Sequence, residues 1–127
     1  ASDGLSMNVS STLAEANFAV FGNNNSSGTT SSNLPSGQSL QKRSSREWQL
    51  EESGTVTVNI KIDISDATGN NITPAAASNY KLLFKSCTEC DFVVNATGSS
   101  SSGDIITFSN ISIQDGFYSI ASTDSNI

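Results

Sequence analysis

The only two cysteines of the chain, Cys87 and Cys90, form a C-x-x-C motif. Such spacing occurs in zinc sites, in redox-active dithiols and in short structural disulfides. A closed zinc site needs four Cys or His ligands, and the chain has two cysteines and no histidine. A redox dithiol needs a stabilised thiolate, which the neighbouring Glu89 and Asp91 would disfavour. The residues favour a structural disulfide closing a hairpin, with a redox role, an intermolecular bridge and a shared metal as alternatives.

No set of residues predicts catalysis. Glu51 and Glu52 are adjacent, but neighbouring residues of a strand point to opposite faces, so these carboxylates cannot act as a proton-transfer pair. Serine is abundant, yet the chain has neither a histidine base nor a G-x-S-x-G elbow. We therefore predict that the protein is not an enzyme.

A short acidic and amide-rich stretch follows the strongest strand pattern. Asp63, Asp66, Asn70 and Asn71 carry oxygen atoms of the kind that calcium prefers. Their spacing matches no dedicated calcium loop, so we expect ordinary turn chemistry and no metal or other cofactor. Calcium binding stays as an alternative.

The charge of the chain limits its partners. The net charge is −6, with only 6 Lys and Arg among 127 residues. Nucleic acids and anionic membranes attract clustered cations, so neither is an expected partner. The one basic cluster, Lys42, Arg43 and Arg46, is followed by Glu47 and is expected to lie in a solvated loop. No apolar run approaches the roughly 20 residues of a membrane-spanning helix, so direct membrane insertion is not expected.

The composition is typical of an exported protein. Ser, Thr and Asn supply 49 of the 127 residues, and the chain begins Ala1-Ser2-Asp3, as a mature product does after removal of a signal peptide. The candidate glycosylation sites, each in an N-x-S/T sequon, are Asn8, Asn24, Asn25, Asn71, Asn95 and Asn110. We predict a secreted protein on the extracellular cell surface.

Alternation of apolar and polar residues predicts strands. It is clearest in residues 54–64, where a Val or Ile occupies every second position. Shorter runs rich in β-branched and aromatic residues cover 17–21, 46–50, 80–85, 92–95, 104–108 and 117–121. Helical patterns are limited to single turns at 14–16 and 74–77. About seven or eight short strands, each with one apolar face, predict an all-β, antiparallel, two-sheet immunoglobulin-like sandwich.

The connections carry further expectations. Asp115-Gly116 is typical of a tight turn and predicts a hairpin between the last two strands. Residues 98–103 are expected to form a Ser-rich hairpin loop, and residues 22–45 a long surface excursion with little core of its own. Trp48 is expected to fill the core with Leu50.

Six ordered pieces of sequence carry a resemblance to a known family. They are FAVFGNNN (18–25), NLPSG (33–37), REWQLEESGTVTV (46–58), NYKLLFKS (79–86), DF (91–92) and ITFSNISIQDGFYSIA (106–121). Together they resemble a β-sandwich module that repeats in large secreted surface and adhesin proteins of Bacteroidetes-type bacteria. The resemblance covers about residues 17–122, implies a structural or adhesive role and supplies no catalytic residues. Where that family has a Gly, Ser or Asp-rich turn, this chain has residues 86–90 with both cysteines, so the comparison implies a cystine there.

The N-terminal segment has an apolar face of its own. Leu5, Met7, Val9 and Leu13 share one side of a strand pattern. We predict three regions: a strand region (1–16), a sandwich (17–122) and a C-terminal tail (123–127). The strand either completes its own sheet or adds, as a donor strand, to a neighbouring copy.

These features predict a structural subunit or module of a bacterial surface filament or adhesin that assembles by β-strand addition. Its partners would be copies of itself in a homo-polymer or neighbouring modules of the same surface protein. The alternative is an adhesin module that binds a glycan, or a ligand through calcium, with the 22–45 loop.

Overall fold

The computed structural model describes residues 5–9, 18–53 and 57–127. The strands are β1 (Leu5–Val9), β2 (Phe18–Asn23), β3 (Thr29–Thr30), β4 (Lys42–Ser44), β5 (Trp48–Ser53), β6 (Thr57–Asp63), β7 (Tyr80–Lys85), β8 (Val93–Thr97), β9 (Ser100–Ser102), β10 (Ile105–Ser112) and β11 (Gly116–Ser122). They form two sheets in which every pairing is antiparallel. The predicted all-β, two-sheet class is confirmed.

The first sheet has four strands in the order β1-β6-β10-β9. Its centre, β6, alternates as the sequence predicts, with Val58, Ile60 and Ile62 buried and the residues between them partly exposed. On one side, β1 pairs with β6 in a register that places Leu5 opposite Ile62 and Val9 opposite Val58. Within this chain, the N-terminal strand therefore completes its own sheet and forms one of its edges.

The second sheet has seven strands and is organised around β11. On one side, β11 pairs with β7, which in turn pairs with β8. On the other side of β11, the first half of the strand pairs with β5 and the second half pairs with β4. The sheet continues outward through β2 beside β5 and β3 beside β4. The two halves of that side come from one stretch of chain that bends between Ser44 and Trp48.

A buried serine closes the bend. Ser119, in the middle of β11, has its hydroxyl 3.1 Å from both the Ser44 and Arg46 carbonyl oxygens. Its O–H donor can therefore satisfy either carbonyl where the regular ladder is interrupted. A buried carbonyl without a donor would be costly, so a hydroxyl suits this position better than an apolar side chain of similar size.

The two sheets bury one main core between them. Trp48 and Leu50 lie in it with the β6 residues, as the sequence predicts, together with Phe108 and Tyr118. Strand β7 is buried on both faces, because Leu82 belongs to this core whereas Leu83 belongs to a second cluster on the outer face.

The second cluster is covered by the long loop. Leu83, Phe92 and Ala121 form it, and Leu34 and Leu40 pack against it. Among the described residues, 22–45 add no buried apolar side chain to the core, but the segment is more than a surface excursion, since it supplies this cover and also strands β3 and β4.

Two predicted hairpins differ from the structure. Residues 113–115 join β10 to β11, but these strands belong to different sheets, so the connection is a crossover. Asp115 fixes it by accepting a hydrogen bond from the Glu52 amide at 2.8 Å. In the Ser-rich segment, residues 100–102 form strand β9, and the turn lies at Gly103-Asp104, where Gly103 has a φ of 60°.

One short helix was not predicted. Helix α1 (Ile64–Thr68) begins at Asp63, whose carboxylate accepts a hydrogen bond from the Asp66 amide at 3.2 Å. It ends at Gly69, which has a left-handed φ of 79°. A 3-10 turn covers Ala77–Asn79, just after the predicted single turn at 74–77, and the turn predicted at 14–16 lies outside the described residues. In the described ranges, no helix has the length and apolar character needed to cross a membrane.

The segment after β11 packs onto the sandwich. Ile127 is buried, and the Asn70 side chain donates to its carbonyl oxygen at 3.0 Å. The buried Tyr80 hydroxyl donates to the Asn126 carbonyl, and Asn79 donates to the Asp124 carboxylate at 3.0 Å. The predicted tail is thus bound to the domain by side chains from β7 and the segments before it.

The close approach at Gly98 gives a first prediction. A Cβ atom there would lie 2.2 Å from the Ala77 carbonyl oxygen, whereas one at Gly22 would meet nothing within 4 Å. We expect Gly98→Ala to lower the free energy of unfolding by about 1–3 kcal/mol through backbone displacement, and Gly22→Ala to leave it nearly unchanged. Urea denaturation followed by Trp48 fluorescence measures both, and equal stability of the two variants would contradict the packing described.

Tyr80 gives a second prediction. Burial, reinforced by the nearby Asp124 carboxylate, raises the pKa of Tyr80 to about 12. Since an unfolded tyrosine has a pKa near 10, the folded state retains the proton and its stability falls as the pH rises from about 10 to 12. The contribution of Tyr80 to this loss of stability is on the order of 2 kcal/mol, and we expect Tyr80→Phe to lack it. Urea titrations of both proteins at pH 9 and 12 measure it, and parallel losses would contradict the assignment.

Candidate functional site

The two cysteines are joined in the turn between β7 and β8, so the predicted disulfide is present. A hydrogen bond also stabilises the turn: the Lys85 ammonium donates to the Thr88 carbonyl oxygen at 3.1 Å. A disulfide is compatible with an extracellular location.

Directly after the disulfide, the Phe92 ring lies within reach of two cations. The Arg43 guanidinium is 4.9 Å and the Lys85 ammonium 4.7 Å from the ring centroid, distances typical of cation–π contacts. One carboxylate pairs with both cations: Glu47 lies 2.9 Å from Lys85 and 3.4 Å from Arg43. Both cations are buried, and burial lowers the pKa of Arg43 while Glu47 opposes that shift. We call Arg43, Glu47, Lys85 and Phe92 the cation–aromatic cluster.

The expectation that the basic cluster is solvated was therefore wrong for two of its members. Arg43 and Arg46 are only 5% and 9% exposed. Arg43 donates to the Ser32 carbonyl at 3.0 Å, and Arg46 donates to the Ser26 carbonyl at 2.7 Å. Each guanidinium satisfies backbone acceptors of the long loop and so fixes its path.

Asn33 joins the loop to the disulfide turn. Its side-chain amide donates to the Cys90 carbonyl at 3.1 Å and accepts from the Phe92 amide at 3.0 Å. Asn33 itself has a left-handed φ of 53°, a conformation that asparagine tolerates better than most residues. This two-way contact fastens one side chain to the backbone on both sides of Asp91.

Between these two segments lies an open cleft of about 730 Å³. The loop at 31–38 forms one wall, and residues 91–94 at the start of β8 form the other. Its exposed lining residues are Ser31, Ser36, Gln38, Asp91 and Val93. Its volume lies within the range typical of small-molecule sites. We call it the loop cleft.

The calcium candidates have local structural roles where the structure gives them partners. The Asp63 carboxylate accepts from Ser65 Oγ at 2.8 Å and caps α1, and Asn70 holds the Ile127 carbonyl. Hydrogen bonds led by that from the Ser65 side chain lower the pKa of the neighbouring Asp104. Among the described residues, no group of three acidic, Cys or His side chains could hold a metal.

The other candidate residues are dispersed. Glu51 is exposed and Glu52 half-buried, on adjacent positions of β5. Of the sequon asparagines, Asn24, Asn25, Asn71 and Asn110 are exposed and Asn95 is half-buried in β8. Asn24 is already engaged, since its side chain donates to the Ser45 carbonyl at 3.3 Å. Asn8 lies in β1.

Three of the four predicted subunit-contact residues, Leu5, Met7 and Val9, lie in β1 at the edge of the first sheet. Leu5 is fully buried within its own chain. The register places Met7 opposite Ile60 and Val9 opposite Val58. Leu13 lies outside the described residues.

A family model with the description "Domain of unknown function (DUF8202)" matches residues 3–117. The chain belongs to this DUF8202 family. No curated protein and no solved structure gives a significant match. The family match begins at residue 3, so it includes β1 together with the sandwich.

The cation–aromatic cluster gives a third prediction. We expect Glu47→Gln to lower the free energy of unfolding by roughly 2–3 kcal/mol, because it leaves two buried cations without their carboxylate. The matched control is Glu51→Gln, which changes an exposed residue and should have little effect. Urea denaturation compares the two, and a similarly small effect of both changes would show that Glu47 is dispensable to the cluster.

Proposed function

We propose that the chain is a non-catalytic structural module of a secreted bacterial surface filament or adhesin, and that neighbouring copies assemble through β1. The observation that carries this proposal is the position of β1: it is an edge strand of a four-stranded sheet, paired along all five of its residues with β6. The disulfide and the Ser, Thr and Asn-rich composition support an extracellular location.

Strand exchange follows from the register. If β1 of one copy replaced β1 of the next, Leu5 would still oppose an Ile62 and Val9 a Val58, so each sheet would keep its ladder. Main-chain hydrogen bonds and alternating side chains supply the affinity in this mode of assembly. An element exchanged between identical copies needs no new interface chemistry. The resemblance to repeated surface modules supports the same role.

A second function is favoured by the loop cleft. The alternative hypothesis, an adhesin module that binds a ligand with the 22–45 loop, gains support because the loop and β8 form the walls of an open cleft of about 730 Å³. Both functions are compatible in one chain, since β1 and the loop cleft belong to different sheets.

A cysteine pair tests assembly through β1. Ser6 and Lys61 are register partners on β1 and β6, and opposite residues of antiparallel strands are close enough for a cross-link. The Ser6→Cys/Lys61→Cys protein is oxidised at concentrations at which light scattering detects assemblies. We expect it to give a ladder of covalent multimers on non-reducing gels. The matched pair Thr57→Cys/Ser112→Cys joins β6 to β10, which strand exchange leaves in place, and should give monomers only.

A single monomeric band from both pairs, whether or not light scattering detects assemblies, would overturn the proposed strand exchange. It would leave a module whose first strand always pairs within its own chain.

A further inference from the structure

We propose that the loop cleft binds a neutral saccharide. The inference rests on the proposed adhesin role and names the chemical class of its ligand.

The cleft is formed before any ligand arrives. Its loop wall is tied to the opposite wall by Asn33, to β4 by the hydrogen bond from Arg43 to the Ser32 carbonyl, and to the sheet by Leu34 in the second cluster. Cys87 and Cys90 fix the turn that leads into the opposite wall. A wall fixed in this way costs little conformational entropy on binding.

Four polar side chains of the lining have no hydrogen-bond partner among the residues that the structure describes. The side chains of Ser31, Ser36, Gln38 and Asp91 make no hydrogen bond to another described residue and are exposed. Together they present two hydroxyls, one amide and one carboxylate, which can both donate to and accept from sugar hydroxyls. Asn33 differs from them because both ends of its amide are already engaged across the cleft.

The lining also has an apolar part. Val93 is 55% exposed, the one large hydrophobic residue so exposed among the side chains that the structure describes, and Leu34 and Pro35 lie on the opposite wall. A saccharide ring combines C–H faces with hydroxyl edges and so matches a cleft with both kinds of surface. A purely apolar ligand would leave the polar groups without partners on loss of water.

Charge selects against an acidic ligand. Among the described residues that line the cleft there is no lysine or arginine, and Asp91 is the only ionisable one. The nearest cations of the cation–aromatic cluster, Arg43 and Lys85, are buried and paired with Glu47. The chain as a whole has a net charge of −6. A sialylated or sulfated sugar would therefore meet repulsion without a compensating cation.

Titration calorimetry on the full chain tests the proposal with a panel of neutral disaccharides: lactose, maltose, cellobiose, mannobiose and chitobiose. Sialyllactose and sulfated lactose serve as charged probes. We expect at least one neutral sugar to bind and the charged sugars to bind at least tenfold more weakly. Absence of heat from every neutral sugar at millimolar concentration, or binding of the charged sugars alone, would overturn the proposal.

Variants locate the site. We expect Gln38→Ala and Asp91→Asn each to weaken binding of the sugar about tenfold or more. Their matched controls, Gln114→Ala and Glu89→Gln, change exposed residues outside the lining and should leave the affinity unchanged. Equal affinity of all four variants would place the sugar elsewhere and overturn the assignment.

A further variant tests the preformed wall. Asn33→Ala removes the hydrogen bonds that join the two walls, so it should weaken binding through the shape of the cleft and not through a lost contact with the sugar. A melting curve establishes that the variant is folded. The competing occupant is an extended peptide that adds to the open side of β8. NMR spectra of the sugar-free chain distinguish the two ligands. Shifts of the β8 amide signals on addition of peptides but not of sugars would overturn the saccharide assignment. Because the loop cleft and β1 belong to different sheets, failure of sugar binding in calorimetry is distinguishable from failure of the cysteine cross-link that tests assembly through β1.

Discussion

The contact of Phe92 with two buried cations is the interaction on which the outer face of the seven-stranded sheet depends. Arg43 comes from β4, Lys85 from β7, and Glu47 from the bend before β5. Buried charges are costly unless they are paired, so these side chains stabilise the fold only as a complete set. Because Arg43 also holds the Ser32 carbonyl, the same set determines where the long loop lies and therefore whether a cleft exists.

The parts of the fold that the sequence predicts are those in which a local pattern is sufficient. Residues 57–63 and 80–85 are strands because β-branched and apolar residues recur with the period of a pleated sheet. Strands β4 and β9 escape such reasoning, since their polar side chains and short lengths give no apolar face. The Asp-Gly pair likewise predicts a turn but not the sheet that the next strand joins, which the distant Asp115–Glu52 contact helps to determine.

The candidate site was predictable only in part, for the same reason. The count of possible zinc ligands and the acidic neighbours Glu89 and Asp91 together favoured a disulfide at Cys87 and Cys90, and it is present. Runs of charge are usually solvated, so Arg43 and Arg46 gave no sign of burial. Tertiary structure brings their partners to them. The Phe92 ring that contacts Arg43 is far away in sequence, and the loop carbonyl that accepts from Arg46 is a group that every residue has, so neither partner could be recognised in the sequence. The residue types around Asn33 predict only that it lies in a loop, and not that its side chain joins the loop to the disulfide turn.

The two proposed activities occupy different sheets, and this separation has a consequence for adhesion. Strand exchange through β1 concerns the edge of the four-stranded sheet, whereas the loop cleft lies over the outer face of the seven-stranded sheet. Assembly through β1 would thus leave one cleft on each subunit. A cleft that is open and half polar gives a modest affinity by itself. Repetition along a filament would raise the avidity because several subunits engage one glycan-coated surface at once. A shallow site and an exchangeable edge strand are therefore complementary properties of one module.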